Sequence, residues 1–500
     1  MEPKRSRRRQ IVVAVILAAL ITFLAVRYAG QRRLLGELDS KDPQAQAQAA
    51  QTLLERGALR DALPAQREAR RARTAAALAL VVRRGASKEV TQAAVEQLAT
   101  LIRDPQDRPQ LAASRALGGL GAISIPYLVQ GVGEHKPVIE DGDDRAKAAA
   151  VNALAVIGGP AVPALTAALN NAGRRQQAAI ALGKIGGAGI EPLLKAAWSK
   201  DNALRGIAIK VLGDVKQGRG VEPAIDALSL PELRRTAIIA LGLIGDRRAA
   251  PEIIPYLKDP GLRSDAATAL GAIGDVRAAA PLLEELRVLE ELRVPESQFH
   301  SRGVWALQRI GPEAVPLLAA ALKSDYVYVR WAAAQGLRFD EAPGSVPALV
   351  AALHDPDVKV RTAAAAALGW SGNAAAVPPL IAALDDADWR AADAAVRSLA
   401  AIGQPAVEPL MSLLGGAQPV KQKFASDGLA QMLKAPVARL LQATHSEAPG
   451  IRKWAAITLG KIGDRSAAPR LQEMAATAQG DERWAAQQAL RKLGVPTAAS

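Results

Sequence analysis

The chain has 500 residues, of which 50% are hydrophobic but only 3% aromatic, and a formal net charge of +14. This length exceeds what one globular core fills, so we predict either several domains or a repeat array. The absence of cysteine excludes disulfides, thiolate catalysis and cysteine-ligated zinc. Half of the net charge falls within residues 1–33, so the rest of the chain is only mildly basic.

The first predicted element is a membrane-spanning helix. Residues 1–10 form a basic tail, and Ile11–Val26 follows as an uncharged apolar run. With its flanks, as residues 11–29, this segment approaches the roughly 20 residues that a bilayer requires. Moving the basic tail across an energised membrane is costly, so we expect a cytoplasmic N-terminus and an extracytoplasmic remainder. A cleaved signal peptide and a buried core helix are the alternatives, although Arg27 and Tyr28 stand where cleavage requires small residues.

Residues 30–104 are predicted to be a linker followed by degenerate helical capping repeats, because periodicity is weak there. Their many arginines favour either a solvated capping face or a contact with anionic lipid head groups.

Residues 105–495 contain an internal repeat, followed by a short tail at 496–500. A leucine, then an isoleucine or similar residue, then a glycine recur, with the leucines mostly 28 to 31 residues apart. These register leucines are Leu117, Leu154, Leu182, Leu212, Leu241, Leu270, Leu307, Leu337, Leu368, Leu399, Leu429, Leu459 and Leu490.

The residue type at each recurring position has a structural explanation. The glycine four residues after the leucine predicts a helix C-cap, which needs the left-handed backbone region. The proline nine to eleven residues after the leucine predicts the first turn of a new helix. The glycine directly after the leucine costs helix stability, so we interpret it as a close contact between neighbouring repeats.

A column of arginines lies seven residues before the leucines: Arg175, Arg205, Arg234, Arg263, Arg330, Arg361, Arg452 and Arg483. Four residues earlier, several aspartates are placed to cap the second helix of each repeat. Either the arginines line a basic groove for an acidic ligand, or they form an Asp–Arg ladder between repeats through bidentate hydrogen bonds. The ladder is the favoured interpretation.

The pattern Ala-Leu-Gly-x-Ile-Gly-Asp, continued by Pro, Asp and Val-Arg, resembles HEAT repeats in the short form known from phycobilisome lyases. This resemblance covers roughly Pro105–Val495. It implies an all-α fold, an α-solenoid of paired antiparallel helices whose second helices line a concave face. It implies little about the partner, because the family includes scaffolds, adaptors, lyase subunits and a few enzymes.

Two repeats contain about seven extra residues before the second helix. The first insertion, around Glu134–Asp144, is acidic with one histidine; it predicts a solvated loop, with a metal site as the alternative. The second duplicates the hexad Leu-Glu-Glu-Leu-Arg-Val and predicts a first helix lengthened into a spur. Leu286 and Leu289 then either offer an apolar stripe to a partner or cover a neighbouring repeat.

Six of the seven tryptophans lie between Trp305 and Trp484. Trp331 and Trp484 directly follow the column arginine, and Trp454 is one place later. They are candidates for an aromatic partner-binding strip, with core filling among alanine-rich helices as the alternative.

The function class predicted is a membrane-anchored scaffold or adaptor that binds protein, in a bacterial inner membrane, without enzymatic activity, metal or cofactor. The histidines are scattered along the chain. No His-Glu pair recurs as it does in the HEAT-repeat di-iron hydroxylases that act on deoxyhypusine, which are enzymes of the family that the sequence resembles. A lyase-type subunit is one alternative, and the apolar N-terminal segment argues against it. A nucleic-acid-binding protein is the other, which requires a cytoplasmic solenoid and a denser basic stripe.

Overall fold

A computed structural model describes residues 28–59, 68–131, 136–294, 298–338 and 344–496. The basic tail, residues 11–27 of the predicted membrane helix and most of the C-terminal tail lie outside these residues. Within the described ranges the chain is all-α, without a β-strand. It divides into two compact units, Met1–Ala240 and Leu241–Ser500.

Thirteen helices are the second helices of the repeats; twelve contain a register leucine, and Leu337 directly follows the end of Val327–Gly336. They are Asp107–Leu120, Asp144–Ile157, Arg175–Ile185, Asn202–Asp214, Arg234–Ile244, Arg263–Ile273, Gln298–Leu307, Val327–Gly336, Val358–Trp370, Trp389–Ile402, Pro419–Gln431, Pro449–Ile462 and Gly480–Leu493.

The first helices of the repeats are mostly shorter and often follow a 3-10 turn. They are Lys88–Leu101, Val162–Ala168, Gly187–Ala197, Val221–Ala227, Ala250–Ile253, Ala279–Glu291, Val315–Ala321, Ser345–Ala352, Val377–Ala382, Gln404–Leu414, Val437–Ala443 and Ala468–Thr477. In the repeat of Leu154 this place is taken by the π-helix Pro126–Gln130, and the short helix Val138–Asp141 follows in the insertion.

Two further helices extend the array at its N-terminal side. Pro43–Glu55 packs against Glu68–Arg83, which packs in turn against Asp107–Leu120. Their buried faces are mostly small aliphatic side chains, as in the repeats that follow. These two helices of the segment predicted as degenerate capping repeats therefore pack onto the array.

The glycine and aspartate of the repeated Ile-Gly-Asp motif end one helix and start the next. All ten glycines predicted as C-caps have positive φ; Gly274, at +68°, is one example. The aspartate that follows, Asp275, accepts a hydrogen bond from the backbone N–H of Arg277 at 2.9 Å and so caps a 3-10 turn. Asp246 and Asp464 repeat the arrangement. The motif therefore forms the turn between the second helix of one repeat and the first helix of the next.

The prolines are in the predicted first turn in most repeats, but not in all. Pro163 and Pro469 are each the second residue of their helix. Pro192 and Pro409 lie inside their helices, so the prediction is wrong for them. These two helices start directly after the capping glycine, with no 3-10 turn, so the proline falls one turn into the helix.

Neighbouring second helices approach closely at the glycine that follows each register leucine. A Cβ atom placed on Gly242 would lie 2.7 Å from the Cα atom of Ala269, and one on Gly460 would lie 2.6 Å from the Cα atom of Ala489. Real Cβ atoms do not approach a backbone atom this closely. The prediction that these glycines form inter-repeat contacts is confirmed.

Among the described residues, no single helix has both the length and the apolar character needed to cross a bilayer. One strongly bent pair, Asp144–Ile157 with Gly159–Ala168, meets the criteria only when its two helices are taken together.

Candidate functional site

The arginine column forms ion pairs that reach forward to the next helix pair. Arg330 binds Asp355 with two hydrogen bonds of 2.7 and 3.1 Å, and Arg452 binds Glu482 with two of 2.7 Å. The other pairs are Arg175–Asp201, Arg205–Asp226, Arg263–Glu285 and Arg361–Asp386. These guanidinium groups are neutralised, so they do not line a basic groove.

The carboxylates of this ladder differ from those that the sequence suggested. Four aspartates upstream of the arginines cap the second helices: Asp143, Asp201, Asp357 and Asp388. Of these, Asp201 also receives a ladder arginine. Of the other partners, Asp355 and Asp386 follow the first helix of the next repeat, Asp226 and Glu285 lie within it, and Glu482 lies in the next second helix. The Arg361 guanidinium holds the pKa of the Asp386 carboxyl below its usual value.

Two members of the column depart from the pattern. Arg234 donates from Nε to the carbonyl of Leu228 at 3.0 Å, which fixes the turn before its own helix. Arg483 is exposed in the last helix pair, and no carboxylate among the described residues pairs with it. Arg330, Arg361 and Arg452 also fix the turn before their own helices: Arg330, for example, donates from Nη1 to the carbonyl of Ser324 at 2.8 Å.

The duplicated hexad does not project a partner-binding stripe. The first helix Ala279–Glu291 is indeed long, but Leu286 and Leu289 are 0% and 2% exposed. They pack within the array, because this helix contacts the second helices of its own and the next repeat. The apolar-stripe interpretation of these two leucines is therefore wrong, and their role is to cover neighbouring helices.

Two glutamates of the duplicated hexad also have internal roles. Glu285 is buried beside Arg263, 3.2 Å away, and burial raises the pKa of its carboxyl. Glu290 accepts hydrogen bonds from the backbone N–H groups of Val327 and Tyr328 at 2.9 and 2.7 Å, so it caps the second helix of the next repeat.

The carboxylates of the acidic insertion are engaged by arginines of the neighbouring repeats. Glu140 accepts a hydrogen bond from Nε of Arg174 at 2.5 Å, and Asp141 accepts one from Nη2 of Arg103 at 2.5 Å. Arg174 holds the pKa of the Glu140 carboxyl below its usual value. No group of three or more His, Asp or Glu side chains converges within the described residues. His135, the histidine of this loop, lies outside them.

The three predicted strip tryptophans are on second helices but do not form one strip. Trp331 is half-buried, with its ring edge on to Tyr328 at a centroid distance of 6.2 Å. Trp454 is half-buried near the Lys461 ammonium, and Trp484 is 53% exposed on the neighbouring helix. Three second helices, from Val358 to Gln431, separate Trp331 from the other two.

Two tryptophans that the sequence interpretation did not single out are exposed beside Trp331. Trp305 is 39% exposed on Gln298–Leu307, and Trp370 is 66% exposed at the end of Val358–Trp370. These helices and Val327–Gly336 are three consecutive second helices. We call their exposed side chains, with Arg309 and Arg338 just beyond the helix ends, the tryptophan–arginine face.

Arginines lie over both of these indoles. The guanidinium carbon of Arg338 is 3.9 Å from the ring centroid of Trp370, and that of Arg309 is 5.0 Å from the ring centroid of Trp305. Partial burial lowers the pKa of the Arg338 guanidinium. The face therefore combines exposed aromatic area with cations held in place by cation–π contacts.

A helical-period argument would have found this face. Trp305 lies two residues before its register leucine and Trp370 two residues after its own, whereas Trp331 lies six residues before. Positions four residues apart share one side of a helix, so these three places are on the same exposed side of their helices. This spacing of four is the signal in the sequence that connects Trp305 and Trp370 with Trp331.

The chain belongs to the HEAT repeat family. The family profile matches residues 135–213, 221–294, 346–426 and 407–491, which is more than half of the chain. No curated protein matches the chain significantly.

Several solved structures are similar to the chain, and three of them are a lyase complex, an importin and a hydroxylase. The CpcE–CpcF complex of phycocyanin lyase from Nostoc sp. PCC7120 is 26% identical over 49% of this chain and 94% of that chain, with a TM-score of 0.26. Yeast importin-beta, Kap95p, in a study of RanGDP, is 13% identical over 93% and 77%, with a TM-score of 0.43. Human deoxyhypusine hydroxylase is 22% identical over 54% and 95%, with a TM-score of 0.22.

Proposed function

We propose that this chain is a membrane-anchored HEAT-repeat scaffold that binds another protein through the exposed face of its second helices. The observation that carries the proposal is that large apolar side chains recur on that face of the second helices in each of the two units. Leu111, Val156, Ile239, Leu243, Trp305, Trp370 and Trp484 are all exposed there.

These side chains occupy equivalent places in their repeats. Each lies two residues after, two residues before or six residues before a register leucine, and so on the same side of its helix. Exposed apolar groups that recur on one side of several helices are typical of protein-binding surfaces, and tryptophan is the residue that contributes most to such interfaces.

The membrane part of the proposal depends on Ile11–Val26, which lies outside the described residues. Its support is the uncharged apolar run behind a basic tail. An alkaline phosphatase reporter fused after Ser500 should be active if the repeats are extracytoplasmic, and a cytoplasmic reporter fused there should be silent. The opposite pair of results would reject this orientation.

The proposal contains no catalytic step. His300, His354 and His445 lie in three different helix pairs, so they do not assemble one acid–base or metal-binding centre. His300 is buried with its ring centroid 5.0 Å from that of Tyr328, which is a packing role.

Position-specific photocrosslinking in native membranes tests the binding face. A benzoylphenylalanine at Trp370 or Trp484 should yield a crosslinked protein identified by mass spectrometry. The same probe at Ala351, exposed on a first helix, is the matched control and should yield little. Equal yields from the two helix types, or none from the second helices, would reject the proposed face.

A further inference from the structure

The three second helices of the tryptophan–arginine face contain no carboxylate. Gln298–Leu307, Val327–Gly336 and Val358–Trp370 include arginines and a lysine but no Asp or Glu. The two ladder arginines among them, Arg330 and Arg361, are neutralised by Asp355 and Asp386 at the far end of the helices. The cations that remain on these helices are Arg302 and Lys359, and Lys359 lies over the Tyr328 ring.

The other three arginines of this face contact neutral groups. Arg302 donates from Nη1 to the hydroxyl of Thr268 at 2.7 Å, and Arg309 donates from Nε to the carbonyl of Gly271 at 3.3 Å. Arg338 lies over the Trp370 indole. Within the described part of the chain, no carboxylate forms an ion pair with any of these three.

Three cations elsewhere on the second helices of the same unit differ in this respect, although Arg483 does not. Lys461 is 2.7 Å from Asp427, and Lys453 is 2.5 Å from Asp481 on the neighbouring helix. Arg397 pairs with Asp393 on its own helix. At the places that Asp393 and Asp427 occupy in their repeats, the three helices of the tryptophan–arginine face have serine, tryptophan, threonine, glutamine and alanine instead.

We propose that the tryptophan–arginine face binds an acidic segment of a partner protein, with carboxylates on Arg302, Arg309 and Arg338 and apolar side chains against Trp305 and Trp370. The proposal rests on the proposed scaffold function and names the chemistry of its partner. Charge complementarity and guanidinium geometry select the occupant, because an arginine held in place offers two parallel N–H donors to one carboxylate.

A single-stranded nucleic acid also combines negative charge with flat apolar groups, but it fits this face less well. Bases stack on free aromatic faces. Here Arg338 covers one face of Trp370, and Trp305 has Arg309 over it and lies so close to Gly271 that an added Cβ would be 2.7 Å from its ring. A guanidinium stacked on an indole keeps its N–H edge open for a carboxylate.

Fluorescence anisotropy with defined probes tests this inference on the full chain in detergent. The probes are a labelled peptide of alternating Glu and Leu, the same peptide with Gln for Glu, and an oligothymidine of equal length. We expect the Glu peptide to bind at least about tenfold more tightly than the Gln peptide, with an affinity that falls as salt rises. Equal affinities, or tighter binding of the oligothymidine, would overturn the proposal.

Variants locate the binding. The triple change R302Q, R309Q and R338Q should lower affinity for the Glu peptide at least about tenfold, and W370A should lower it severalfold. R115Q with K210Q, at exposed second-helix positions of the other unit, is the matched control and should leave it unchanged. Circular dichroism establishes whether each variant is folded. If the triple variant does not fold, W370A, which changes an exposed side chain, still tests the proposal.

The photocrosslinking experiment separates failure of this inference from failure of the scaffold function. If Trp370 crosslinks a native partner while the Glu and Gln peptides bind alike, the scaffold stands and the acidic-segment proposal falls. If neither peptide binds and no second-helix position crosslinks a protein, both fall.

Discussion

Arg361 and Asp386 join one helix pair to the next through two hydrogen bonds of 2.6 and 2.9 Å. The side chains are only 17% and 8% exposed. Nη1 of the same guanidinium donates to the carbonyls of Asp355 and Pro356 at 3.0 and 3.1 Å. One arginine thus fixes the turn before its own helix and joins it to the equivalent turn of the following repeat.

Replacing Arg361 should destabilise the array measurably. R361A leaves Asp386 largely buried without its partner and two carbonyls without a donor, so we expect a loss of about 2–3 kcal/mol in the free energy of unfolding. Urea denaturation measures it. R483A, at the exposed end of the same arginine column, should change stability by less than about 0.5 kcal/mol. Similar losses in both variants would contradict the ladder.

Adding one methyl group between two second helices should also be costly. In G460A the new Cβ atom would meet the backbone of Ala489 at 2.6 Å. Strain of about 1–3 kcal/mol should exceed the helix-propensity gain of about 1 kcal/mol. The control is G119A, where the Cβ would meet only the movable end of Arg83. We expect thermal denaturation to show a lower midpoint for G460A and an equal or higher one for G119A; the reverse order would exclude close helix packing.

The cap that Glu290 provides predicts a difference between two adjacent glutamates. E290A removes the acceptor for the Val327 and Tyr328 N–H groups and should cost about 1 kcal/mol of stability. E291A removes a contact with Arg287 on the same exposed surface, so it should cost less than about 0.5 kcal/mol. Hydrogen exchange should show faster exchange at the start of Val327–Gly336 in E290A alone. Unchanged exchange there would exclude the cap.

Asp388 should contribute to stability in a pH-dependent manner. Its hydrogen bonds with the Arg390 side chain and backbone lower the carboxyl pKa to about 2 from 3.8. Because the folded pKa is depressed, the stabilisation is present above pH 3.8 and is lost as pH falls through about 2. D388N keeps a capping acceptor but no charge, so its thermal midpoint should lie below that of the wild type at about pH 6 and coincide with it near pH 2. A constant difference across this range would show that the charge has no role.

The repeat architecture could be predicted because its determinants are local. A helix end needs a left-handed residue, so Gly274 and Gly463 marked helix ends in the sequence, and Asp275 marked the next start. The register leucines recur mostly 28 to 31 residues apart, and Leu270 and Leu459 are fully buried. None of these inferences required knowledge of a distant contact.

The partners of the ladder and the composition of the exposed face depend on long-range geometry. Arg361 reaches Asp386 rather than the aspartate nearer in sequence, since the offset between stacked helix pairs determines which carboxylate lies within reach. Leu286 and Leu289 look like a free stripe until the next repeat covers them.

The sequence by itself determined that this protein is a row of short helix pairs, and it did so through backbone conformation and helical period, which act over a few residues. Only the tertiary structure decided that Trp305 and Trp370 are exposed, with Arg309 and Arg338 lying over their rings. The physical reason is that the relative rotation and offset of adjacent repeats, set by many small contacts such as that of Gly271 with Ala306, select which side chains meet across helices and which remain at the surface.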